Sequence, residues 1–468
     1  MDIKKIGLVA ATAAIAGCCC FKCQGNGEYA ETIDEGFTSL FNGKDLTGWI
    51  GATGMYGVDP AEPGVLQCFP DRKVKGQPGN LVTEKEYSDF VLRFEFCMPT
   101  NANNGLGIRT PGPNVDAAYY GMCELQILDD AGDKYTKLHD YQYHGSVYGI
   151  VPARRNAHDR PVKPTAGNGS FLKPAGEWNF EEVRVVGSKI QVILNGELIV
   201  NADVAGFAED GTTPDGHKHP GLHRTRGHVG WLGHGYNVKW RNIRIKEVGP
   251  NYKVGGCPCL NKAPAGFTAL FNGKDFTNWK GVTTEERFDN PKVRQAATAE
   301  KRAEMQKKAD VLMNKFWHVR DGALYFDGFK GGYSLATAKD YKDFEMWVDW
   351  RLMTVRGDSG LYLRGSPQVQ IWDAHNMWHI GSGGLYNNKK GAHDALCIAD
   401  KQIGDWNRFY IKMVGDKVTV KLNGKLVVDN VTLENYWDRS IPIFPVEQIE
   451  LQCHGDPIEF RNVFIREL

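Results

Sequence analysis

The stretch FTSLFNGKDLTGW (residues 37–49) returns almost unchanged as FTALFNGKDFTNW (residues 267–279), with only three of thirteen positions different. The correspondence continues in an unbroken order along the chain: YSDFVLRFEF (87–96) matches YKDFEMWVDW (341–350), EWNFEEVRVV (177–186) matches DWNRFYIKMV (405–414), and KWRNIRIKEV (239–248) matches EFRNVFIREL (459–468). A period of roughly 210 residues is typical of a duplicated domain and not of a solenoid.

Both copies have the pattern of β-structure. Apolar and polar residues alternate over short runs, as they do in half-buried strands. Asn195-Gly196 and Asn423-Gly424 each separate two such runs, and Asn-Gly accepts the positive φ angles of a type I′ hairpin turn. The 54 Gly and 12 Trp residues also fit a turn-rich protein. We therefore predict an all-β fold of two tandem two-sheet sandwiches or jelly rolls.

The matched stretches also predict the domain boundaries. The segment 283–316 belongs to the second copy alone, and its Ala, Glu, Lys, Arg and Gln content predicts an inserted surface helix. We expect a signal peptide, a flexible tether, a first sandwich, a linker and a second sandwich, at residues 1–18, 19–35, 36–249, 250–265 and 266–468.

The N-terminus predicts export. A short basic start, MDIKK, precedes the apolar stretch 6–16, which is too short to span a bilayer. It leads into Ile15-Ala16-Gly17-Cys18, which resembles a bacterial lipobox and would make Cys18 the lipidated N-terminus. An ordinary signal peptide with a coincidental cysteine is the alternative. We expect a lipid-anchored envelope protein, periplasmic or at the outer membrane.

The charge balance excludes one class of function. The chain has 56 Lys+Arg against 56 Asp+Glu, so no basic excess is available to neutralise phosphates. We therefore expect no nucleic-acid partner.

Polar residues of the first copy converge on one face of its predicted strands. In ELQILD (124–129), Glu124 and Gln126 are two residues apart and share a face, while the intervening apolar residues point to the core. By the same alternation, Arg109 at the end of GLGIR is expected on this face. The alternative for Arg109 and Glu124 is a structural ion pair between neighbouring strands.

The loop YQYHGSVYG (141–149) adds two further candidates. His144 can titrate near neutrality, and Tyr148 can stack on a sugar or hydrogen-bond it. A packed aromatic loop with a satisfied histidine is the alternative interpretation.

An ordered set of motifs carries a family resemblance. The set is F-x-x-LFNGKDL-x-x-W, Y-x-DF, a Gly-x-x-x-Arg strand, E-x-Q-I-x-D, (E/D)WN, LNG, HG and a terminal RN-x-x-I. It resembles the family of 3-keto-disaccharide (3-keto-glycoside) hydrolase domains, over nearly the whole mature chain and twice. The resemblance implies a concanavalin/laminin-G-like jelly roll and an oxidised (3-keto) oligosaccharide or glycoside as substrate. No G-x-G-x-x-G follows a strand, so we expect a separate oxidoreductase to make the ketone.

The implied chemistry is elimination followed by hydration. A ketone at C3 acidifies the C2 proton, so a base can form an enolate and the glycosidic oxygen at C1 can leave. We expect Glu124 or His144 to be the base and Arg109 to stabilise the enolate or carbonyl. Asp129 is expected to orient a partner or hold a metal. Gln126, Tyr148 and His234 are expected to bind the sugar.

A histidine-rich segment raises the possibility of a divalent metal. His217, His219, His223, His228 and His234 lie within residues 215–235, but Gly and Pro break the segment and its spacing matches no helical H-x-x-x-H motif. Solvated loop histidines are therefore the default interpretation, and no cofactor is firmly predicted. His234 differs because His454 repeats it in the second copy.

The second copy departs from the pattern at the proposed base. Gln368 occupies the position of Glu124, and an amide cannot act as a base at ordinary pH. The second copy does keep Arg364, Gln370, Asp373, Tyr386 and His454, of which all but Asp373 are expected sugar-binding residues. We predict that the first copy is catalytic and that the second is a weaker site, a sugar-binding module or a scaffold.

Two other functions remain open from the sequence. A tandem carbohydrate-binding lipoprotein without catalysis would use the same lectin-like fold, since a fold does not fix a function. A glycoside hydrolase acting on unoxidised glycans could use Glu124 and Asp129 as its carboxylate pair.

Overall fold

The computed structural model describes residues 29–72, 79–154, 171–328 and 333–468. The predicted signal peptide, most of the tether and Cys18 lie outside these ranges. Among the described residues, no helix has the length and apolar character needed to cross a membrane.

The first domain consists of two stacked antiparallel sheets. Its strands and its one-turn α-helix are β1 (Thr38–Ser39), β2 (Trp49–Gly51), β3 (Tyr56–Val58), β4 (Leu66–Cys68), β5 (Gly79–Thr83), β6 (Phe90–Cys97), β7 (Asn103–Thr110), α1 (Ala117–Tyr120), β8 (Cys123–Leu128), β9 (Trp178–Val186), β10 (Lys189–Leu194), β11 (Glu197–Asp203), β12 (His228–Gly233) and β13 (Lys239–Glu247). The larger sheet has the order β11-β10-β9-β6-β13-β4-β3, with β1 beside β13, and the smaller sheet has the order β2-β5-β12-β7-β8.

The second domain repeats this arrangement and adds helices. Its elements are β14 (Thr268–Ala269), β15 (Trp279–Gly281), α2 (Pro291–Ala296), α3 (Ala299–Phe316), β16 (Trp317–Arg320), β17 (Ala323–Asp327), β18 (Leu335–Thr337), β19 (Phe344–Leu352), β20 (Asp358–Leu363), β21 (Ser366–Trp372), β22 (Asn407–Val414), β23 (Lys417–Leu422), β24 (Lys425–Thr432), β25 (Glu450–Cys453) and β26 (Pro457–Glu467). The larger sheet runs β16-β17-β26-β19-β22-β23-β24, with β14 beside β26, and the smaller sheet runs β15-β18-β25-β20-β21.

Short 3₁₀ turns complete the secondary structure, at Thr53–Met55, Pro70–Arg72, Asp140–Gln142, Val204–Gly206 and Glu285–Arg287. The prediction of an all-β chain with two tandem sandwiches and a helical insertion in the second is therefore confirmed.

Each sandwich encloses its own apolar core. Alternate residues of facing strands supply it, such as Leu106 and Ile108 of β7 with Leu125 and Ile127 of β8, all fully buried. The inserted helix α3 packs one face on the second domain, with Met305, Ala309, Met313 and Phe316 buried at helical spacing.

The repeated opening stretch forms the same turn in both domains. Asn42 Oδ1 accepts from the backbone N–H groups of Lys44 and Asp45, and Asp45 Oδ1 accepts from Thr47 N. The residues Asn272, Lys274, Asp275 and Thr277 repeat these bonds in the second domain. The stretch is therefore retained for local geometry, since Asx turns of this kind fix the backbone before the first core strand.

The two Asn-Gly hairpins also agree with the prediction. Asn195 and Gly196 have φ angles of 46° and 91°, and Asn423 and Gly424 have 49° and 79°. Positive φ at both central residues is the mark of a type I′ turn, which matches the twist of the flanking strands.

A buried ionic network joins the outer faces of the two larger sheets. Glu182 of β9 accepts from Arg93 at 2.7 Å and from Arg184 at 2.6 Å, and Arg351 of the second domain reaches it at 3.5 Å. Asp405 of the second domain in turn accepts from Arg93 at 2.7 Å. Since every partner is charged and largely buried, the pairing fixes how the two domains meet.

Candidate functional site

The smaller sheet of the first domain turns one face to the core and one to solvent, and we call the latter the front face. Leu125 and Ile127 of β8 are in the core, so Glu124 and Gln126 lie on the front face as the alternation predicts. On the neighbouring strand β7, Gly107 pairs with Glu124 and Gly105 pairs with Gln126.

The absence of a side chain on β7 positions Glu124. A Cβ atom at Gly105 would lie 2.0 Å from Glu124 Oε1 and 2.7 Å from Glu124 Cγ, so only glycine leaves room for this carboxylate to lie across the strand. In this position Glu124 Oε1 is 3.7 Å from Nε2 of His234, the residue that directly follows strand β12.

Glu124 has the electrostatics of a tuned acid or base. Its side chain is only 7% exposed, whereas that of His234 is 46% exposed at the mouth of the site. Burial raises the pKa of Glu124 above its ordinary value, the hydrogen bond and charge of His234 lower it, and the negative charge of Asp116 raises it further. A buried carboxylate with a raised pKa beside a histidine is typical of a functional site.

Aromatic and acidic residues form one wall of the site. Burial and the nearby charges of Tyr148, Asp215, Asp116 and Glu124 raise the pKa of Tyr119 to about 12. Tyr119 therefore stays protonated at neutral pH and can donate a hydrogen bond. Its ring also contacts His217, at 5.6 Å between centroids.

Sequence reasoning missed Tyr119 and Asp116. The sequence feature that could have indicated them is the segment Asp116-Ala-Ala-Tyr-Tyr120. In the structure, Asp116 Oδ1 accepts from Ala118 N and caps the one-turn helix α1. A cap before two tyrosines suggests a fixed aromatic pair, but nothing local shows that it stands beside Glu124.

A further polar atom of this region has no partner. Asn103, the first residue of β7, pairs with Leu128, and its Oδ1 atom is buried without a hydrogen bond within the described residues. A buried acceptor without a donor is unusual in a folded protein. Its counterpart in the second domain, Asp358, contacts Gln370.

The structure corrects the placement of His144. Its ring lies inside the sandwich, only 2% exposed, with Nε2 3.2 Å from Glu181 Oε2 and with Phe96 stacked on it at 5.2 Å. His144 Nδ1 accepts from Leu128 N at 3.3 Å. His144 therefore supports the end of β8 from inside the sandwich and does not lie on the front face, which agrees with the packed-loop alternative.

His144 also has a counterpart that the sequence spacing hid. In the second domain, Ser382 Oγ accepts from Trp372 N at 3.1 Å, in the position where His144 accepts from Leu128 N. The following glycines, Gly145 and Gly383, both donate to the neighbouring strand. A group replaced by a serine hydroxyl in the sister domain has a structural role.

The structure also corrects the placement of Arg109. This residue has φ 49°, so strand alternation ends there and the guanidinium turns away from the front face. It donates to the backbone carbonyls of Ser88, Gly187 and Arg224 and to Asp89 Oδ1, all at 2.7–3.1 Å. Neither the enolate-stabilising role nor the ion pair with Glu124 fits these contacts.

Arg364 repeats this arrangement in the second domain. It has φ 48° and donates to the carbonyls of Pro445 and Gly415, the latter being the counterpart of Gly187. The prediction that Arg364 binds sugar is corrected for the same reason: the left-handed backbone directs the arginine to a loop that it holds in place.

Asp129 and Asp373 are turn residues. Asp129 Oδ2 accepts from the backbone N–H of Asn101 at 2.7 Å, and Asp373 Oδ2 accepts from Arg356 N at 2.8 Å. Asn101 and Arg356 both have positive φ, so the aspartates stabilise the same strained turn before β7 and β20. Asp129 is therefore assigned to this turn instead of to the predicted catalytic role.

The histidine-rich segment does not converge on one point. His219 is buried against Asp215 and Ala118 O, and His228 Nδ1 is 2.7 Å from Thr83 O. Of the residues described, no three His, Cys, Asp or Glu side chains are grouped so as to hold a metal ion. Of the five histidines, His234 is the one that reaches Glu124.

A comparison with known families identifies the two sandwiches. The model of the 3-keto-alpha-glucoside-1,2-lyase-like domain matches residues 36–246 and 266–466. The chain belongs to this family. The resemblance inferred from the ordered motifs is thus confirmed, and the 3-keto-alpha-glucoside-1,2-lyase-like domain is present twice.

Individual relatives are more distant. A 3-keto-disaccharide hydrolase of Bacteroides thetaiotaomicron is 22% identical over 253 residues, which cover 46% of this chain and 79% of that protein. A Parabacteroides distasonis protein, named only provisionally as a glycosyl hydrolase, is 24% identical over 45% of this chain and 99% of its own, with a TM-score of 0.35. A carbohydrate-binding module of Bacillus subtilis is 11% identical over 44% and 98%, with a TM-score of 0.25.

The second family domain presents amides where the first presents Glu124. Gln368 donates to Gln370 Oε1, and Gln370 Nε2 donates to Asp358 Oδ1 at 2.7 Å. His454 Nδ1 lies 3.6 Å from Asp358 Oδ2, and burial raises the pKa of Asp358. The base position is thus neutral, although a carboxylate that sequence reasoning missed lies beside the repeated histidine.

The repeated tyrosines keep their places. Tyr148 and Tyr386 both follow the loop that pairs with the end strand of the smaller sheet. Tyr148 packs edge-on against Tyr141 and accepts from Gln142 at 3.4 Å, whereas Tyr386 packs edge-on against Trp372 and is half exposed. Tyr148 is partly exposed, and sugar binding by either tyrosine stays a prediction.

Proposed function

We propose that the front face of the first domain cleaves the glycosidic bond of 3-keto-glycosides, and in particular of 3-keto-disaccharides. The observation that carries this proposal is the buried Glu124, whose pKa is raised. Its carboxylate lies across Gly105 of β7, 3.7 Å from His234. Family membership supports the substrate class.

The chemistry needs a base, a stabiliser of the oxyanion and an acid. We assign the base to Glu124, which takes the C2 proton as the C3 carbonyl becomes an enolate. Tyr119, protonated at neutral pH because its pKa is raised to about 12, donates to the developing C3 oxyanion. His234, exposed at the mouth, protonates the departing glycosidic oxygen.

The steps balance as an elimination and a hydration. The C2–H electrons form the enolate, which collapses to expel the C1 oxygen and leaves a double bond between C1 and C2. Water then adds its oxygen to C1 and a proton to C2, which gives the 3-keto sugar as the product of a net hydrolysis. One carboxylate suffices, in contrast to the pair of carboxylates that most glycosidases place across an oxocarbenium-like centre.

The ketone is the feature to test. Purified protein is incubated with a 3-keto-disaccharide and, separately, with its unoxidised parent, each with and without a chelator. We expect cleavage of the 3-keto-disaccharide and not of its unoxidised parent, because the C2 proton of the parent has no neighbouring ketone to acidify it. Equal cleavage of both sugars would indicate an ordinary glycosidase, and cleavage of neither would favour the tandem carbohydrate-binding alternative.

The pH dependence of the reaction reports on Glu124. As a base it must be ionised, so kcat/KM should rise with pH through the raised pKa of Glu124. Since the bond and charge of His234 lower that pKa, the variant His234→Ala should move this acid limb to higher pH. The measurement is the pH profile of kcat/KM, with His223→Ala, an exposed loop histidine, as the matched control.

An unmoved acid limb in His234→Ala would contradict the assignment of this limb to a Glu124 whose pKa is lowered by His234. A lower kcat across the whole pH range is also expected in the same variant, because the departing oxygen has lost its acid.

For the second domain we propose sugar binding without this cleavage. The observation that favours it is the amide pair Gln368 and Gln370 at the base position. Amides donate and accept hydrogen bonds to hydroxyl groups but do not remove a carbon-bound proton at ordinary pH. The variant Gln370→Ala should weaken retention on an immobilised 3-keto-disaccharide and leave kcat unchanged.

We further propose that the protein is anchored in the bacterial envelope through a lipid on Cys18. The support is the lipobox-like Ile15-Ala16-Gly17-Cys18 after a short apolar stretch. Cys18→Ser should move the protein from the membrane fraction to the soluble periplasmic fraction. An unchanged membrane fraction, measured by immunoblot after cell fractionation, would contradict the anchor.

A further inference from the structure

The helical insertion of the second domain borders a cavity. The cavity has a volume of about 240 Å³ and lies between edge strand β15 and helices α2 and α3. Helix α3 is fixed directly on the strand: a Cβ at Gly281 would lie 2.2 Å from Ala309 O, and Gln306 Nε2 donates to Gly281 O at 3.0 Å. The walls are therefore well defined.

The described part of the first domain has different residues at the positions that match two of the lining residues. Lys280 of β15 corresponds to Ile50 of β2, and Glu447, which pairs with Tyr341, corresponds to Gly227, which pairs with Tyr87. The cavity also lies at the β15 edge of the smaller sheet, whereas Gln368 lies at the opposite edge on β21. It is thus separate from the front-face site proposed above.

Positive charge is in excess in this cavity. Arg294 is neutralised by Glu447 at 2.8 Å, and Gln295 also donates to Glu447. Within the described residues, the Lys280 side chain makes no hydrogen bond or ion pair, while its backbone pairs with Ala336 in the sheet. The Arg302 side chain donates to the backbone carbonyls of Arg294 and Ala297. The other lining carboxylate, Asp340, is exposed at the rim.

The environment of Lys280 disfavours the charged form of its side chain. Burial lowers the pKa of Lys280, while the charges of Asp340 and Glu447 oppose that effect. A half-buried ammonium without a hydrogen-bond acceptor gains from an anionic ligand, since charge-assisted hydrogen bonds are the strong ones.

The remaining lining fits a single sugar ring. Phe288, Met305 and Val282 supply apolar surface, and Thr283, Gln306 and Gln448 supply hydroxyl and amide groups. This mixture suits a polyhydroxylated ring with an apolar edge. The volume of about 240 Å³ is below the 300–1,000 Å³ typical of drug-sized ligand pockets, which limits the occupant to about one ring.

We propose that this cavity is a binding site for a monosaccharide acid, such as a hexuronate, whose carboxylate pairs with Lys280 and Arg302. The ring lies over Met305 and Phe288. Its hydroxyl groups donate to the amide oxygens of Gln448 and Gln306, whose Nε2 groups already donate within the protein. The site gives the second domain a specificity of its own for acidic sugar units, and it does not depend on the cleavage reaction of the first domain.

Calorimetric titration of the full chain tests this proposal with three probes: glucuronate, glucose and inorganic phosphate. We expect glucuronate to bind one site per chain, glucose to bind at least about tenfold more weakly, and phosphate not to bind at a comparable level. Equal affinity for glucose would overturn the role of charge, and equal affinity for phosphate would reduce the site to a nonspecific anion pocket.

Variants locate the binding. Lys280→Met should weaken glucuronate binding by about tenfold or more, and Arg302→Gln by a smaller factor. The matched control Lys425→Met removes an exposed lysine of β24 and should have no effect. Thermal unfolding confirms that each variant is folded, and cleavage of the 3-keto-disaccharide should be unchanged in all three. Unchanged glucuronate affinity in both Lys280→Met and Arg302→Gln would overturn the proposal.

Discussion

Glu124→Gln should lower kcat for 3-keto-disaccharide cleavage by about 10³-fold, the size of effect expected when a general base is removed. The amide keeps the shape of the carboxylate and its place across Gly105, so the substrate should still bind with a similar KM. Steady-state kinetics with a 3-keto-disaccharide measures both quantities.

The matched control for this experiment is Glu177→Gln, an exposed glutamate of the same domain, which should leave kcat unchanged. The second variant to measure is His144→Ala. It should lower stability because it leaves Glu181 and the Leu128 amide without partners, yet the folded fraction should keep its activity. If Glu124→Gln were active and His144→Ala inactive but folded, the assignment of the base would be wrong.

Glu182→Gln should reduce the free energy of unfolding by about 3–5 kcal/mol, because it leaves buried arginines without their carboxylate. Glu182 is 1% exposed and is held by Arg93 and Arg184 of its own domain and by Arg351 of the other. Denaturant unfolding, followed by tryptophan fluorescence, measures the change. The surface control Glu247→Gln, which removes an exposed pair with Lys85, should change the free energy by about 1 kcal/mol at most.

The same network predicts acid sensitivity. Burial alone would raise the pKa of Glu182, but the charges of Arg184, Arg93 and Arg351 overcome burial and hold the pKa well below its ordinary value. Glu459 behaves alike, with a pKa lowered to about 2 against burial by Arg351 and Arg320. A carboxylate with a lowered folded-state pKa stabilises the protein above its unfolded pKa, and that stability is lost as the pH falls through the folded value.

The stability of the chain should therefore decrease between about pH 4.5 and pH 2. Glu182→Gln should flatten part of this dependence, since it has no proton to gain. A pH dependence identical to that of the unaltered protein would contradict the lowered pKa of Glu182 in the folded state.

The sequence predicted the fold because its signals are local. Asn-Gly turns, strand alternation and the opening turn around Asn42 depend on neighbours a few residues away, and each occurs twice. Glu124 and Gln126 were placed correctly for the same reason, since alternation decides the face of a strand that is core-packed on its other side.

The misplaced residues all lie where regular structure ends. Arg109 was assigned to the front face by alternation, but its positive φ breaks the alternation at that residue. His144 lies in a loop whose side-chain direction depends on Glu181, a partner 37 residues away. Tyr119 was missed because its proximity to Glu124 arises from tertiary packing, to which no local pattern points.

The interface between the domains was equally invisible to sequence reasoning. Glu182 and Arg184 alternate with core residues of β9 and would be expected to face water. They are buried only because the second copy of the fold supplies Arg351 and Asp321 against the same face.

The most direct test of the account is the fate of the C2 hydrogen when cleavage is run in deuterated water. Elimination and hydration predict a 3-keto sugar product with one deuterium at C2, formed by the unaltered protein and, at about 10³-fold lower rate, by Glu124→Gln. Isolated product incubated for the same time without protein corrects for spontaneous exchange. A product that keeps its original C2 hydrogen would contradict the proposal that Glu124 removes it.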